Sequence, residues 1–76
     1  MKSNVYKDLF GIALPEQIDS VDEAIREAIS GRITSISTDL QMTATYAVKK
    51  ALDKGARCRS SPENKGRWRI DIAPKN

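Results

Sequence analysis

TATYAVKKALDKG at Thr43–Gly55, ARCRSS at Ala56–Ser61, PENKG at Pro62–Gly66 and RWRIDI at Arg67–Ile72 form one continuous stretch whose reading decides the fold. It predicts a helix closed by Gly55, then a two-stranded hairpin. Thr43 is placed to cap that helix, its hydroxyl accepting from an N–H of the first turn. Ala44, Ala47, Val48, Ala51 and Leu52 recur at three- and four-residue spacing, the stripe of a helix lying on a core. Gly55 stands where a left-handed residue ends a helix, and Lys54 stands near the negative end of the dipole. The other face carries Thr45, Tyr46, Lys49 and Lys50.

In the hairpin the period is two. Cys58 alternates with Arg57 and Arg59, and Trp68, Ile70 and Ile72 alternate with Arg67, Arg69 and Asp71, so one face is apolar and the other carries four arginines. Trp68 reads as the largest piece of a small core and Cys58 as an inert thiol on the same face. Eight of the thirteen basic residues fall in this stretch: Lys49, Lys50, Lys54, Arg57, Arg59, Lys65, Arg67 and Arg69. Like charges gathered on one hairpin face repel unless an anion lies on them. Charge is uneven along the chain too. Met1–Ile36 carries four basic and six acidic residues, and Ser37–Asn76 nine basic and four acidic. An anionic partner follows from that asymmetry, nucleic acid being the commonest.

Seventy-six residues, 30% charged and 39% apolar, make one globular domain. Residues 1–14 read as an N-terminal arm or short helix, with Tyr6, Leu9 and Phe10 as its apolar face, and residues 15–76 as the folded body. Ser20-Val21-Asp22-Glu23 has the form of a capping box and predicts a helix over Ser20–Ser30 that buries Val21, Ala24, Ile25, Ala28 and Ile29. Arg32–Met42 has two readings. Its β-branched residues favour a strand, whereas Ile33, Ile36 and Leu40 keep a helical spacing. The preferred reading is a short extended piece at Arg32 and Ile33, then a short helix to about Gln41.

On that reading, Ile36, Leu40 and Met42 in the first helix and turn, Val48 and Leu52 in the second helix, Gly55 after it and Trp68-Arg69-Ile70 on the returning strand resemble the winged helix-turn-helix family. The small single-domain regulators of bacteria and phages are the most similar type. The resemblance implies an α+β fold of three helices plus a C-terminal β-hairpin wing, with double-stranded DNA as partner. Helix 43–54 would lie in the major groove and wing 56–72 on the backbone. It implies Thr43, Thr45, Tyr46, Lys49 and Lys50 as the groove-facing set, and Arg57, Arg59, Lys65, Arg67 and Arg69 as the wing set on phosphates. Tyr46 keeps a second reading, covering the edge of the core. The role so implied is a small transcriptional regulator or a phage or plasmid accessory factor.

Catalysis is not expected. The sequence has no histidine and a single cysteine, no cluster with metal-ligand spacing and no glycine-rich phosphate loop, so neither enzyme activity, cofactor nor metal is predicted. No apolar run reaches the ~20 residues of a membrane span, and the N-terminus lacks the order of a signal peptide, so a cytoplasmic protein without a membrane partner is expected. A second function class is a small α+β protein-interaction module, such as a phage-encoded inhibitor, with Arg32–Ser37 as a third strand and its basic hairpin on an acidic partner protein. A homodimer through Tyr6, Leu9 and Phe10 is a further expectation.

Overall fold

In the computed structural model, which describes residues 4–75, the elements run β1 (Asn4–Asp8), α1 (Leu14–Ile29), β2 (Ile33–Thr38), α2 (Gln41–Lys54), β3 (Arg57–Pro62) and β4 (Trp68–Ala73). A single 3-10 turn at Asn64–Gly66 joins the last two strands. The four strands make one mixed sheet in the order β1-β2-β4-β3. β1 and β2 are parallel, and β4 is antiparallel to both β2 and β3.

The segment with two readings is a strand. Ile33, Thr34, Ile36 and Thr38 are β-branched and stiff at χ1, which suits extended chain. Thr34, Ile36 and Thr38 turn one way and are buried. Leu40, which kept the helical spacing, is instead the residue from which α2 starts. The short helix expected before Gln41 does not form, because β2 is needed at the centre of the sheet, paired on both sides.

Two helices therefore replace the expected three, and the hairpin is half of a four-stranded sheet and no free wing. The N-terminal residues expected as an arm or short helix supply β1, an edge strand paired with β2. α1 starts earlier than the capping box suggested: Pro15 occupies the first turn, where its missing N–H costs no bond, and Ser20 lies inside the helix. α2 ends as expected, at Gly55 with φ 84°. The Gly55 amide donates to Leu52 O at 3.2 Å and the Ala56 amide to Ala51 O at 2.8 Å, the paired bonds of a left-handed helix terminus.

Both helices lie on one face of the sheet. Val21, Ala24, Ile25 and Ala28 from α1 and Ala44, Ala47 and Ala51 from α2 form one buried cluster with Ile36, Ile70 and Ile72, and Trp68 and Cys58 pack on its margin. The small alanines of α2 let that helix approach the strands closely.

One buried side chain ties the layers together. Gln17 is fully buried in α1. Its amide nitrogen donates to Leu9 O at 3.0 Å, to Ile12 O at 2.8 Å and to Asp39 Oδ1 at 3.1 Å. Its amide oxygen accepts from Thr38 Oγ1 at 2.5 Å and Thr43 Oγ1 at 2.8 Å. A single amide thus joins the end of β1, the end of β2 and the first turn of α2. Thr43, expected as the helix cap facing a groove, is spent on this bond inside the protein.

Gln17→Leu leaves the Thr38 and Thr43 hydroxyl protons and the Ile12 carbonyl without the side chain they bond, so we expect a loss of about 3 kcal/mol or more in urea unfolding, at about one to three for each unsatisfied group. The Asp39 carboxyl is held below its ordinary value of 3.8, first by the Gln17 amide and then by backbone amides including Gly11. A depressed folded value means the stabilisation is present above the ordinary value and lost as pH falls through the folded one. Chemical denaturation as a function of pH is expected to show stability declining below about pH 3.8, the ordinary value, and Asp39→Asn to flatten that limb.

Candidate functional site

The two cationic sets that the sequence seemed to join are on opposite sides of the molecule. Alternation across β3 and β4 puts Cys58, Trp68, Ile70 and Ile72 under the helices and Arg57, Arg59 and Arg69 on the other, open face of the sheet. Lys49 and Lys50 belong to α2, whose buried face is Ala44, Ala47 and Ala51, so the full thickness of the sheet separates them from the arginines. Lys50 lines a groove between the helices, of about 330 Å³, with Asp22, Ile25, Arg26, Ile29 and Lys54. Tyr46 donates from its hydroxyl to Asp22 Oδ1 at 2.6 Å, and that bond together with burial pushes its pKa up to about 12. Tyr46 therefore covers the core edge, the second of its two readings. Of the groove-facing set, only Thr45 and Lys49 remain fully at the surface. Among the described residues the two sets form no common ridge able to straddle a duplex.

The open face is the candidate site. Register places Tyr6 beside Ser35, Ser35 beside Asp71 and Asp71 beside Arg59 in one row, and Asp8, Ser37, Arg69 and Ser61 in the next. Polar bonds knit the rows. Ser35 donates to Asp71 Oδ1 at 2.7 Å, and Arg69 Nε meets the same oxygen at 3.2 Å. Arg67 reaches Asp8 at 3.7 Å and donates to Ser37 Oγ at 3.4 Å. Its guanidinium also lies 4.3 Å from the centre of the Phe10 ring, a cation–π contact. Arg57 and Arg59, at the β3 edge, make no salt bridge among the described residues and flank a shallow depression of about 340 Å³. Lys65 sits apart in the turn, with φ 62°.

Two exposed aromatics complete the face, Tyr6 at 63% and Phe10 at 52% of their full exposure. Leu9, expected beside them, is buried in the core. Sequence reasoning found the arginines and put Asp71 on their side of the hairpin, but missed Tyr6, Asp8, Ser35 and Ser37 as their neighbours. The available signal was the β-branched run of Ile33–Thr38, which as a strand brings Ser35 and Ser37 to the arginine side.

Cys58 offers little chemistry. Burial, with the Asp71 charge behind it, pushes its thiol from an ordinary 9.0 up to about 11. At neutral pH it is a protonated thiol and a weak nucleophile.

No family model matches the chain, and no curated protein matches it in sequence. A solved structure does match: the crystal structure of a SirA-like protein from Desulfitobacterium hafniense, with a TM-score of 0.77 and 17% sequence identity over 90% of this chain and 93% of that one. The fold is similar to that of a SirA-like protein. This overturns the winged helix-turn-helix reading, and with it double-stranded DNA as partner and transcription regulation as role. The β-α-β-α-β-β order leaves no helix-turn-helix pair and no wing. Among the described residues no helix is long and apolar enough to cross a membrane.

Alkylation of Cys58 by iodoacetamide is expected to be slow at neutral pH and to accelerate only as pH approaches 11. A reaction already at its plateau at pH 7 would show a thiolate that this geometry does not support.

Proposed function

We propose that this chain is a non-enzymatic, cytoplasmic protein-binding domain, and that a partner protein lies across the open face of its sheet. The observation that carries the reading is the exposure of Tyr6, Phe10 and the arginines on a rigid face that neither helix covers. Tyrosine, phenylalanine and arginine are enriched at the energetic centres of protein interfaces, because each joins a large contact surface to a polar or cationic group. Arg67 and Arg69 are held in place by Asp8, Asp71 and the two serines, which lowers the side-chain entropy they lose on binding.

The SirA-like fold supports protein partners, as in a sulfur-relay type of small domain. A relay that carries sulfur covalently needs a thiolate to attack the donor. The one cysteine, Cys58, is a buried-side thiol pushed up to about 11. The role proposed here is therefore recognition by contact and does not pass through that sulfur.

A photo-crosslinking residue at Phe10 or Arg59 is expected to yield discrete protein adducts in cells, and one at Lys49 on the helix side none of the same mass. Adducts confined to Lys49, or to nucleic acid, would overturn the assignment. With the partner in hand, Phe10→Ala combined with Arg67→Ala is expected to weaken binding by about tenfold or more, as for interface anchors.

A further inference from the structure

The sheet has two free edges of different character. β3 ends in Pro62, which has no N–H to give, and presents Arg57 and Arg59, features that keep an edge from pairing with another strand. β1, Asn4–Asp8, has neither proline nor neighbouring like charges.

The phase of β1 is fixed by one bond. Leu9 donates its amide to Ser37 O at 2.8 Å, so the backbone groups of Leu9, Lys7 and Val5 turn toward β2. Those of Asn4, Tyr6 and Asp8 turn outward, and among the described residues no backbone partner meets them.

We propose that β1 is the seam of a symmetric dimer, in which it pairs antiparallel with β1 of a second copy of this chain about a two-fold axis at Tyr6. The register follows from physical constraints. Each layer must continue into its counterpart, so residues of the same parity must face one another and the axis must fall on a residue. Centring on Lys7 sets two ammonium groups opposite each other, which is destabilising. Centring on Val5 or Lys7 also makes only two of the outward pairs. Centring on Tyr6 matches Asn4 with Asp8, Tyr6 with Tyr6 and Asp8 with Asn4, all as the pairs that exchange both N–H···O bonds. Lys7 then faces Val5, and its ammonium stays on Glu23 Oε1 at 3.1 Å. The two tyrosines meet as an aromatic cross-strand pair on the open face. The sheet becomes eight strands wide, and each copy adds its Tyr6 to the other's face. This interface rests on the backbone of β1 and not on the partner-binding reading above.

In a Cys58→Ser background, Tyr6→Cys places two thiols on backbones about 5.5 Å apart, inside the range a disulfide spans. Mild oxidation is expected to convert that variant to a covalent dimer. Val5→Cys and Lys7→Cys, each offset from its own copy by about 7 Å along the strand in addition to the strand spacing, stay monomeric in the same assay. Tyr6→Pro removes only the outward N–H and leaves the β1–β2 bonds intact. It is expected to keep the native circular dichroism while light scattering shows the mass falling from twice 8.4 kDa to the single-chain value. The wild type remaining single-chain up to millimolar concentration, bridging at Lys7→Cys in place of Tyr6→Cys, or a dimer that survives Tyr6→Pro would each overturn the seam. Loss of Phe10 or Arg59 adducts with the dimer intact would count against the partner-binding reading alone.

Discussion

The fold turns on the need to satisfy one buried amide. Gln17 sits where the ends of two parallel strands and the beginnings of two helices converge, a place where loop carbonyls would otherwise face apolar side chains. Its nitrogen takes the Leu9 and Ile12 carbonyls, and its oxygen takes hydroxyls from β2 and α2. Because the Gln17 amide is bonded through both its nitrogen and its oxygen, the arrangement is specific as well as stable. It also anchors the ends of β1 and β2, whose mutual phase is set by the Leu9 to Ser37 backbone bond and decides which residues look away from the helices.

That phase explains the polar face. With Thr34, Ile36 and Thr38 committed to the interior, Ser35 and Ser37 must emerge on the far side, level with Asp71 and Arg69 of β4. Four arginines there, Arg57, Arg59, Arg67 and Arg69, share the face with three carboxylates, Asp8, Glu63 and Asp71, so the face is an ordered mixture of signs with a modest positive excess. A surface of that kind discriminates by geometry more than by bulk potential.

Much of this could be read from the amino acids, and some could not. Although Leu52, expected in the α2 stripe, stands exposed, Ala44, Ala47 and Ala51 of that stripe, the helix end at Gly55 and the alternation of the hairpin were legible as local patterns. Arg32–Met42 was not, since Ile33, Ile36 and Leu40 satisfy a helical spacing while the intervening threonines and serines favour a strand, and only the demand for a partner beside β4 decides between them. β1 was hidden for a similar reason: five residues with two β-formers, Val5 and Tyr6, look like a tail until a neighbouring strand exists. The larger error concerned direction. Lys49 and Arg59 are ten positions apart and seemed to belong to one surface, but a helix whose apolar stripe packs on the apolar face of the hairpin carries its lysines away from the arginine face.

The position of β4 has a consequence for how the molecule comes into being. It is the last strand in the sequence yet lies between β2 and β3, so both hydrogen-bonded flanks of the sheet's centre wait for Trp68–Ala73. Earlier segments emerging from a ribosome can form helices and a lone parallel pair, but Ile36 stays uncovered on one side until β4 arrives. Completion of the sheet thereby waits for β4, and a deletion that took out Trp68–Ala73 would remove the keel of the sheet rather than trim its rim.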